Sequence, residues 1–166
     1  MHYYDLYESP QGKMLLVAND DGLSGVYFNG QKYFPQIDPE WRQDARNASL
    51  HQAKRELAEY FNGKRERFEM TLAPAGTPFQ RSVWKAIFDV GFGKTITYGE
   101  LAHRAGCPGS ARTAGAATGR NPISVIVPCH RIVGSDGNLT GYAGGLDRKR
   151  ALLALESGIP DLLSTA

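Results

Sequence analysis

The hydrophobic pattern of the first part of the chain predicts a small sheet. Two short β-prone runs, residues 14–18 and 23–28, are separated by the turn sequence Asn-Asp-Asp-Gly at residues 19–22. Turn residues of this kind between two such runs are typical of a hairpin. With a third run at residues 3–7, the pattern predicts an antiparallel sheet, and the polar stretch at residues 29–47 predicts a loop.

A helical period replaces the strand pattern after this loop. Ser49 is a residue type that caps helices, and the apolar residues after it recur at the spacing of one helical face. Asn62-Gly63 is a typical helix stop, so we expect a helix that packs on the sheet. The apolar positions of this face are Leu50, Ala53, Leu57, Tyr60 and Phe61.

The second half of the chain has a mostly helical pattern. Residues 63–76 contain proline and glycine and predict a connection between two lobes. Thr77, Pro78 and Gln80 then combine a helix cap, a proline in the first turn and the glutamine of a capping box. A helix is therefore expected to begin here, and Trp84 is interpreted as a core residue of its apolar stripe. The stripe consists of Phe79, Val83, Trp84, Ile87 and Phe88.

Two short helices joined by a tight turn are expected next. A helix through Leu101 and Ala102 should end at the turn of residues 106–109, and Ser110 should cap a second helix at residues 111–118. Helix, short glycine-containing turn and helix form the helix-turn-helix arrangement. Many helix pairs of this kind never touch DNA, so the pattern alone leaves both interpretations open.

The elements together predict an α+β protein with two lobes. Residues 1–75 would form an N-terminal lobe, the small antiparallel sheet with its helix, and residues 76–166 a mostly helical C-terminal lobe with the helix-turn-helix. A last helix, near residues 146–156, should end at Ser157-Gly158, ahead of Pro160.

Composition narrows the class of protein without deciding its function. Hydrophobic residues at 42% and charged residues at 22% are ordinary for a folded domain. The first 78 residues carry 9 Lys/Arg against 11 Asp/Glu, whereas the other 88 carry 10 against 6, so the second half is mildly basic and suits a polyanionic partner. The N-terminus lacks the pattern of a secretory signal, and no apolar run approaches the ~20 residues of a membrane span. We therefore expect a cytoplasmic protein that does not bind membranes.

Cysteine and histidine spacing predicts no metal site. Cys107 and Cys129 do not form a C-x-x-C pair, and the four histidines lack the spacing of metal ligands. A disulfide is disfavoured in a cytosolic chain, so we expect two free thiols, one of them a candidate nucleophile. Residues 91–95 end like a phosphate-binding loop, but Phe88 stands where that loop requires its first glycine, which argues against nucleotide hydrolysis.

The candidate chemistry lies at Cys129. The β-branched run at residues 124–127 is expected to be buried as an extended segment, and Pro128 fixes the backbone just before the thiol. A buried cysteine is usually an inert apolar residue. A nucleophilic one needs a base, because a free thiol with a pKa near ~8.5 is mostly protonated at neutral pH. His130 is the adjacent candidate, with a carboxylate elsewhere to orient it, but adjacency leaves a purely structural His130 equally open.

The residues around Cys129 resemble those of a known family. Residues 128–133 (Pro-Cys-His-Arg-Ile-Val), with Asn-Pro at residues 121–122 and Gly-Tyr-Ala-Gly-Gly at residues 141–145, are similar to the active-site sequence of the O6-alkylguanine-DNA alkyltransferases, also called methylated-DNA-protein-cysteine methyltransferases. The resemblance covers roughly residues 76–158, whereas the first lobe is similar in size and strand pattern. It implies a ribonuclease H-like sheet in that lobe.

The resemblance implies single-turnover DNA repair. The alkyl group of O6-alkylguanine, and of O4-alkylthymine, in duplex DNA would pass irreversibly to Cys129, with no cofactor and in a monomer. His130 would be the base acting through a water molecule, Glu156 would orient His130, and Asn121 would brace the site. Tyr98 would hand a proton to the departing guanine. Some relatives hold zinc in the first lobe through cysteine and histidine, but this first lobe has no cysteine, and no metal is expected.

The resemblance also implies contacts with DNA. A base inside a duplex cannot present its O6 substituent to a buried thiol, so the nucleotide must be flipped out. Arg112, on the second helix of the pair, would enter from the minor groove and fill the gap, and small neighbouring residues would let the helix approach. Tight helix packing is the alternative explanation of those small residues. Further implied DNA contacts are Ser110, Thr113 and Gly115, and the implied pocket residues are Val127, Tyr142, Ala143 and Gly144.

Three alternatives stay open at this level. Residues 134–145 are rich in glycine and are interpreted as a mobile loop over the pocket, with a plain surface loop as the alternative. A non-catalytic lesion-binding protein on the same scaffold would lack the acceptor cysteine, which this chain retains. A cysteine hydrolase using Cys129 and His130 would need an oxyanion hole and would turn over repeatedly.

Overall fold

An antiparallel sheet forms from the first three strands in a computed structural model that describes residues 1–158. β1 is Tyr3–Ser9, β2 is Gly12–Asn19 and β3 is Gly22–Phe28, and β2 pairs with both neighbours, as the hydrophobic runs predicted. A short fourth strand, β4 (Arg42–Gln43), pairs in parallel with β1 inside the stretch expected to be a loop. Two residues carry too little hydrophobic pattern to be recognised as a strand.

One helix packs on this sheet, as predicted. α1, Ala48–Phe61, buries one face and ends at Asn62, which is followed by Gly63 in the left-handed region at φ +73°. The predicted cap was wrong: Asn47, not Ser49, caps the helix, and its side chain accepts a hydrogen bond from the Leu50 amide at 3.1 Å. Asparagine and serine cap helices about equally well, so local sequence could not choose between them.

The chain divides into two compact units. Unit 1 comprises Met1–Ala75 with Pro122–Ile126, and unit 2 comprises Gly76–Asn121 with the chain from Val127 onward. Unit 1 therefore takes in a short segment that the predicted boundary after residue 75 had left in the second lobe. Within the described residues no helix is long and apolar enough to cross a bilayer.

The late segment of unit 1 is buried beside β3. The Val26 amide donates to the Pro122 carbonyl at 2.8 Å, and the Val26 carbonyl accepts from the Ser124 amide at 3.0 Å. Burial of residues 124–127 was predicted correctly, but the extended shape predicted for them was not. Val125 has a φ of +71°, and the Ile126 amide donates back to the Ser124 carbonyl at 2.8 Å, which closes a turn. Tertiary context here overrides the strand preference of β-branched residues.

Unit 2 is built on helices. Its first helix begins with the predicted capping box: the Thr77 hydroxyl accepts from the Gln80 amide at 3.1 Å, and the Gln80 side chain accepts from the Thr77 amide at 3.0 Å. Its last helix ends at Gly158 as predicted, and Pro160 lies outside the described residues. The elements are α2 (Pro78–Phe88), β5 (Ile96–Thr97), α3 (Tyr98–Arg104), α4 (Ala111–Gly119), β6 (Ile132–Val133) and α5 (Leu146–Ser157).

The core of unit 2 joins α2 to α4. Trp84 is 3% exposed, as expected of a core residue, and its Nε1 donates to the Ala117 carbonyl at 2.8 Å. Ala114 and Ala117 are buried, so small residues of α4 do serve helix packing. Ser110 occupies the cap position of α4, but its side chain makes no capping hydrogen bond.

Candidate active site around Cys129

The Cys129 thiol opens a short 3₁₀ turn, Cys129–Arg131, and is 5% exposed. The side-chain amide of buried Asn121 donates to Sγ at 3.3 Å and to the Val127 carbonyl at 2.9 Å. The same carbonyl accepts from the Cys129 amide at 2.8 Å. The Val127 carbonyl therefore fixes both Asn121 and the Cys129 backbone, and the amide hydrogen aimed at Sγ favours the thiolate over the thiol.

Burial nevertheless dominates the ionisation of this thiol. It raises the pKa of Cys129 above its ordinary value, and the Asn121 hydrogen bond and the charge of Lys149 counteract the rise without cancelling it. The resting group at neutral pH is therefore the thiol. A reaction at this sulfur needs a group that removes the proton when substrate is bound.

His130 and Glu156 form a fully enclosed pair, with Nε2 and Oε2 separated by 2.6 Å. Burial opposes the charge on Glu156, but His130 and Arg131 outweigh this effect and lower the pKa of Glu156 to about 2. Burial lowers the pKa of His130, and Arg131 and Lys149 add to this against the pull of Glu156. The pair is therefore a carboxylate and a neutral imidazole.

The neutral imidazole has a defined tautomer. Since Nε2 faces a carboxylate, Nε2 carries the hydrogen, and Nδ1 has the lone pair. Nδ1 of His130 is buried and has no hydrogen-bond partner among the described residues. It is thus an available proton acceptor one residue from Cys129. The structure pairs Asn121 with Cys129 and Glu156 with His130, two contacts that the sequence could only suggest.

A second partner of Glu156 was not predicted. Arg131 Nε donates to Oε1 at 2.8 Å and Nη2 to Oε2 at 3.0 Å, which is a bidentate contact. Nη1 donates to the Val90 carbonyl at 2.6 Å, and the guanidinium lies 5.8 Å from the centre of the Phe92 ring. The Gly93 amide approaches Oε1 of the same carboxylate at 3.4 Å. One sequence signal was available, because Arg131 is a charged residue directly before the apolar pair Ile132-Val133.

Lys149 is a second buried cation that sequence reasoning missed. Its side chain is inaccessible to solvent, and Nζ donates to the carbonyls of Ile132 at 2.6 Å, Thr140 at 2.8 Å and Gly141 at 3.2 Å. Three carbonyls replace the hydration of the ammonium group. Burial lowers the pKa of Lys149, while the charge of Cys129 acts in the opposite direction. Its neighbours in sequence are charged, which is typical of an exposed helix face and concealed this role.

The glycine-rich loop is anchored at its C-terminal end. Thr140 and Gly141 are the two loop residues bound by Lys149, and the Tyr142 ring meets His130 edge to face at 6.5 Å. Tyr142 and Ala143 are half-buried, and Gly144 is buried. Residues 135–138 are exposed. Of the expected pocket residues in this loop, Tyr142 thus lies beside the His130 ring, and Ala143 and Gly144 follow Tyr142 in the chain.

Tyr98 lies at the start of α3 and is half-buried. Burial raises the pKa of Tyr98 and the charge of Cys129 raises it further, against a hydrogen bond with the Thr140 side chain. The phenol therefore keeps its proton at neutral pH. A Cβ atom built on Gly115 would lie 3.5 Å from the Tyr98 ring, so Gly115, expected to touch DNA, faces this ring.

Sequence comparisons identify the family of the chain. The family model of the 6-O-methylguanine DNA methyltransferase ribonuclease-like domain matches residues 2–74, and that of the DNA binding domain of the same methyltransferase matches residues 78–158. A methylated-DNA–protein-cysteine methyltransferase of Methanosarcina barkeri is 48% identical over 154 residues, which cover 93% of this chain and 96% of the relative. The chain belongs to this family.

Further relatives of the alkyltransferase family agree. A methylated-DNA–protein-cysteine methyltransferase of Haemophilus influenzae is 41% identical over 93% of this chain and 86% of its own. The crystal structure of Mycobacterium tuberculosis O6-methylguanine methyltransferase superposes with a TM-score of 0.84 at 40% identity, covering 99% of this chain and 98% of that one. The M. tuberculosis protein crystallised with DNA superposes with a TM-score of 0.86 at 40% identity and 97% coverage of both. The predicted α+β fold is confirmed.

The residues expected to contact DNA in an alkyltransferase lie on α4 and at Ser110, its cap position. Arg112 and Thr113 are exposed and Ser110 is half-exposed, whereas Ala114 and Ala117 face the core. The helix thus separates an accessible polar face from a packed apolar one. Both cysteines are free thiols, as expected. No cluster of three or more metal-binding side chains occurs in the part of the chain that the structure describes.

Proposed function

We propose that the chain repairs alkylated DNA by moving the alkyl group from O6 of guanine in duplex DNA to Sγ of Cys129, once per molecule. The observation that carries the proposal is the buried thiol held by Asn121 beside a neutral His130 whose Nδ1 lone pair is unused. The family membership, and its DNA binding domain at residues 78–158, make DNA the partner.

The chemical step is a displacement at the alkyl carbon. The thiol proton passes to Nδ1 of His130 through a water molecule, and the resulting thiolate attacks the carbon. The C–S bond forms as the C–O bond breaks, and the electron pair leaves with guanine. Tyr98 hands a proton to that guanine, because a neutral base leaves more easily than an anion. The pKa of Tyr98 is raised by burial, so the phenol gives up its proton only when strong negative charge develops on the departing guanine.

Access to the base requires flipping. The proposal places Arg112 in the minor groove, where its side chain fills the space left by the extruded nucleotide. The exposure of Arg112 and Thr113 on one face of α4 supports this assignment. The loop of residues 134–145 encloses the flipped base, with Val127, Tyr142, Ala143 and Gly144 around it.

The proposed product explains the single turnover. A thioether offers no leaving group that the residues of this site could activate, so the thiol is not regenerated. The proposal extends to O4-alkylthymine, which presents a comparable alkyl–oxygen bond, and keeps the expectation of a cytoplasmic monomer that needs no cofactor.

Intact mass spectrometry tests the function. A duplex carrying O6-methylguanine should add one methyl group per chain, located on Cys129 by peptide mapping, and excess duplex should add no more. The Cys129→Ser variant should remain unmodified, while Cys107→Ser should react as the wild type does. Binding without modification would instead favour lesion recognition, and repeated turnover would favour hydrolysis; either result would refute the proposal.

A further inference from the structure

A buried cation beside the site has no part in the transfer step as proposed above. Arg131 lies in the same 3₁₀ turn as Cys129 and His130, and its guanidinium is buried. Among the described residues, four polar contacts converge on the Glu156 carboxylate. Oε1 accepts from Arg131 and from the Gly93 amide, Oε2 accepts from Arg131, and Nε2 of His130 lies 2.6 Å from Oε2. An ionised carboxylate offers about four acceptor positions, so this one is saturated.

Saturation constrains the hydrogen on the His130–Glu156 contact. Donors with fixed hydrogens occupy three of its acceptor positions, and the pKa of Glu156, lowered to about 2, leaves the carboxylate without a proton of its own at neutral pH. The hydrogen in the short contact must therefore belong to Nε2 of His130. The bidentate fork also fixes the plane of the carboxylate, because the rigid guanidinium matches both oxygens at once. Val90 and Phe92 in turn hold the guanidinium.

The cations around His130 oppose the effect of Glu156 on its pKa. Among the described residues, Glu156, from α5, is the single anion that interacts with the imidazole, whereas Lys149, also from α5, and Arg131, from its own turn, are cations. An isolated carboxylate would favour a protonated imidazolium, as an opposite charge at this range does. Burial is the largest effect that keeps the imidazole neutral, and the positive charge of Arg131 adds to it against the attraction of Glu156, so Nδ1 keeps its lone pair.

We propose that Arg131 is a positioning residue: it holds Glu156 as a saturated carboxylate and so keeps His130 neutral, with its hydrogen on Nε2 and with Nδ1 ready to take the Cys129 proton. The inference rests on the proposed function for its purpose, since a base already protonated could not accept the thiol proton. Arg131 acts through Glu156 and His130 and does not itself touch the base or the sulfur in this scheme.

The wild-type protein gives the first test. Nitrogen-15 NMR of the histidine ring distinguishes the two tautomers and the imidazolium, and His130→Gln identifies the resonance among the four histidines. The expected result at pH 7 is a neutral ring protonated at Nε2. A ring protonated at Nδ1, or an imidazolium, would overturn the proposal whatever the variants do.

Two variants separate charge from geometry. Arg131→Met removes the cation and should raise the apparent pKa of His130 by roughly one pH unit or more. Arg131→Lys keeps the positive charge but loses the bidentate contact, so the pKa of His130 should rise less than in Arg131→Met. The lysine variant also provides the test if the methionine variant fails to fold. Arg150→Met is the matched control, because Arg150 is on α5 and pairs with exposed Asp147. An unchanged His130 pKa in a folded Arg131 variant would overturn the proposal.

The transfer rate gives an independent readout. Under single-turnover conditions, the acid limb of the pH–rate profile should move to higher pH in Arg131→Met, by the same interval as the His130 pKa. A merely structural defect would lower the rate by one factor at all pH values and would contradict the proposal. Methylation of Cys129 in the wild type is measured separately by mass. An unmethylated wild type would refute the proposed function, whereas a methylated wild type with an unshifted pH–rate profile in Arg131→Met would refute only the role of Arg131.

Discussion

At Cys129, burial and hydrogen bonding act on the same proton in opposite directions. Burial raises the pKa of the thiol, and the Asn121 amide and Lys149 lower it by less. A thiol that is protonated at rest is protected from indiscriminate alkylation and oxidation, because the thiolate is the reactive form. The arrangement thus favours reactivity that appears only when His130 accepts the proton.

Asn121→Ala should make Cys129 less reactive and the protein less stable. It removes the donor to Sγ, so the pKa of Cys129 should rise further, and it removes one of two hydrogen bonds to the Val127 carbonyl, at a cost of about 0.5–1.5 kcal/mol. Both effects can be followed in a Cys107→Ser background, by the pH dependence of iodoacetamide labelling and by urea unfolding. Asn138→Ala, in the exposed loop, is the control. Faster labelling of the Asn121 variant at neutral pH would contradict this expectation.

The ionisation of Glu156 should make the free energy of unfolding fall with pH in the acid range. Its pKa is lowered in the folded state to about 2, so its stabilising effect is complete above the unfolded-state value of roughly 4.3 and is lost as pH falls towards the folded value. The full effect is about 3 kcal/mol. The unfolding free energy of the wild type should therefore exceed that of Glu156→Gln at pH 7, and the difference should shrink below pH 4. Asp5→Asn, which removes another carboxylate with a lowered pKa, is the variant for comparison. A difference that does not vary with pH would argue against the ionised pair.

Among the elements, the connections of unit 2 prove as important as its helices. The segment between α2 and β5 ends like a phosphate-binding loop in sequence, yet its Val90, Phe92 and Gly93 contact the Arg131–Glu156 pair. The entry to α2 is equally constrained. A Cβ atom on Gly76 would lie 2.5 Å from the Trp84 ring, which is closer than atoms can approach. The local sequence shows only a glycine before a helix cap.

Gly76→Ala should therefore destabilise the protein. The added methyl group must displace the Trp84 ring or the start of α2, and overpacking of this kind costs about 1–3 kcal/mol. Gly119→Ala is the matched control, because a Cβ atom added at Gly119 would meet no other atom within 4 Å. Urea unfolding monitored by tryptophan fluorescence measures both variants. Equal stability of the two variants would show that Trp84 has more freedom than this packing implies.

For the whole molecule, the proposed function assigns duplex binding and alkyl transfer to different residues. Arg112 is exposed on α4 and does not belong to the hydrogen-bonded cluster at Cys129, so its loss should affect delivery of the base rather than the sulfur.

Arg112→Ala should slow repair of duplex DNA at least tenfold, about 1.4 kcal/mol, while reaction with a free O6-alkylguanine base changes little. The comparison uses single-turnover rates on both substrates. Arg120→Ala, an exposed arginine just after the same helix, controls for the general loss of positive charge. Equal slowing on duplex and free base would refute the flipping role of Arg112.

Local patterns determined much of this protein. The strands β1 to β3, the capping box at Thr77, the core position of Trp84 and the end of α5 follow from periodicity, turn chemistry and capping, which act over a few residues. The sequence around Cys129 also indicated the family. Tertiary structure alone decided that Arg131 and Lys149 are buried, that Val125 lies in a turn and that Gly115 faces Tyr98. Burial of a charge depends on partners distant in sequence, because only their geometry replaces the lost hydration.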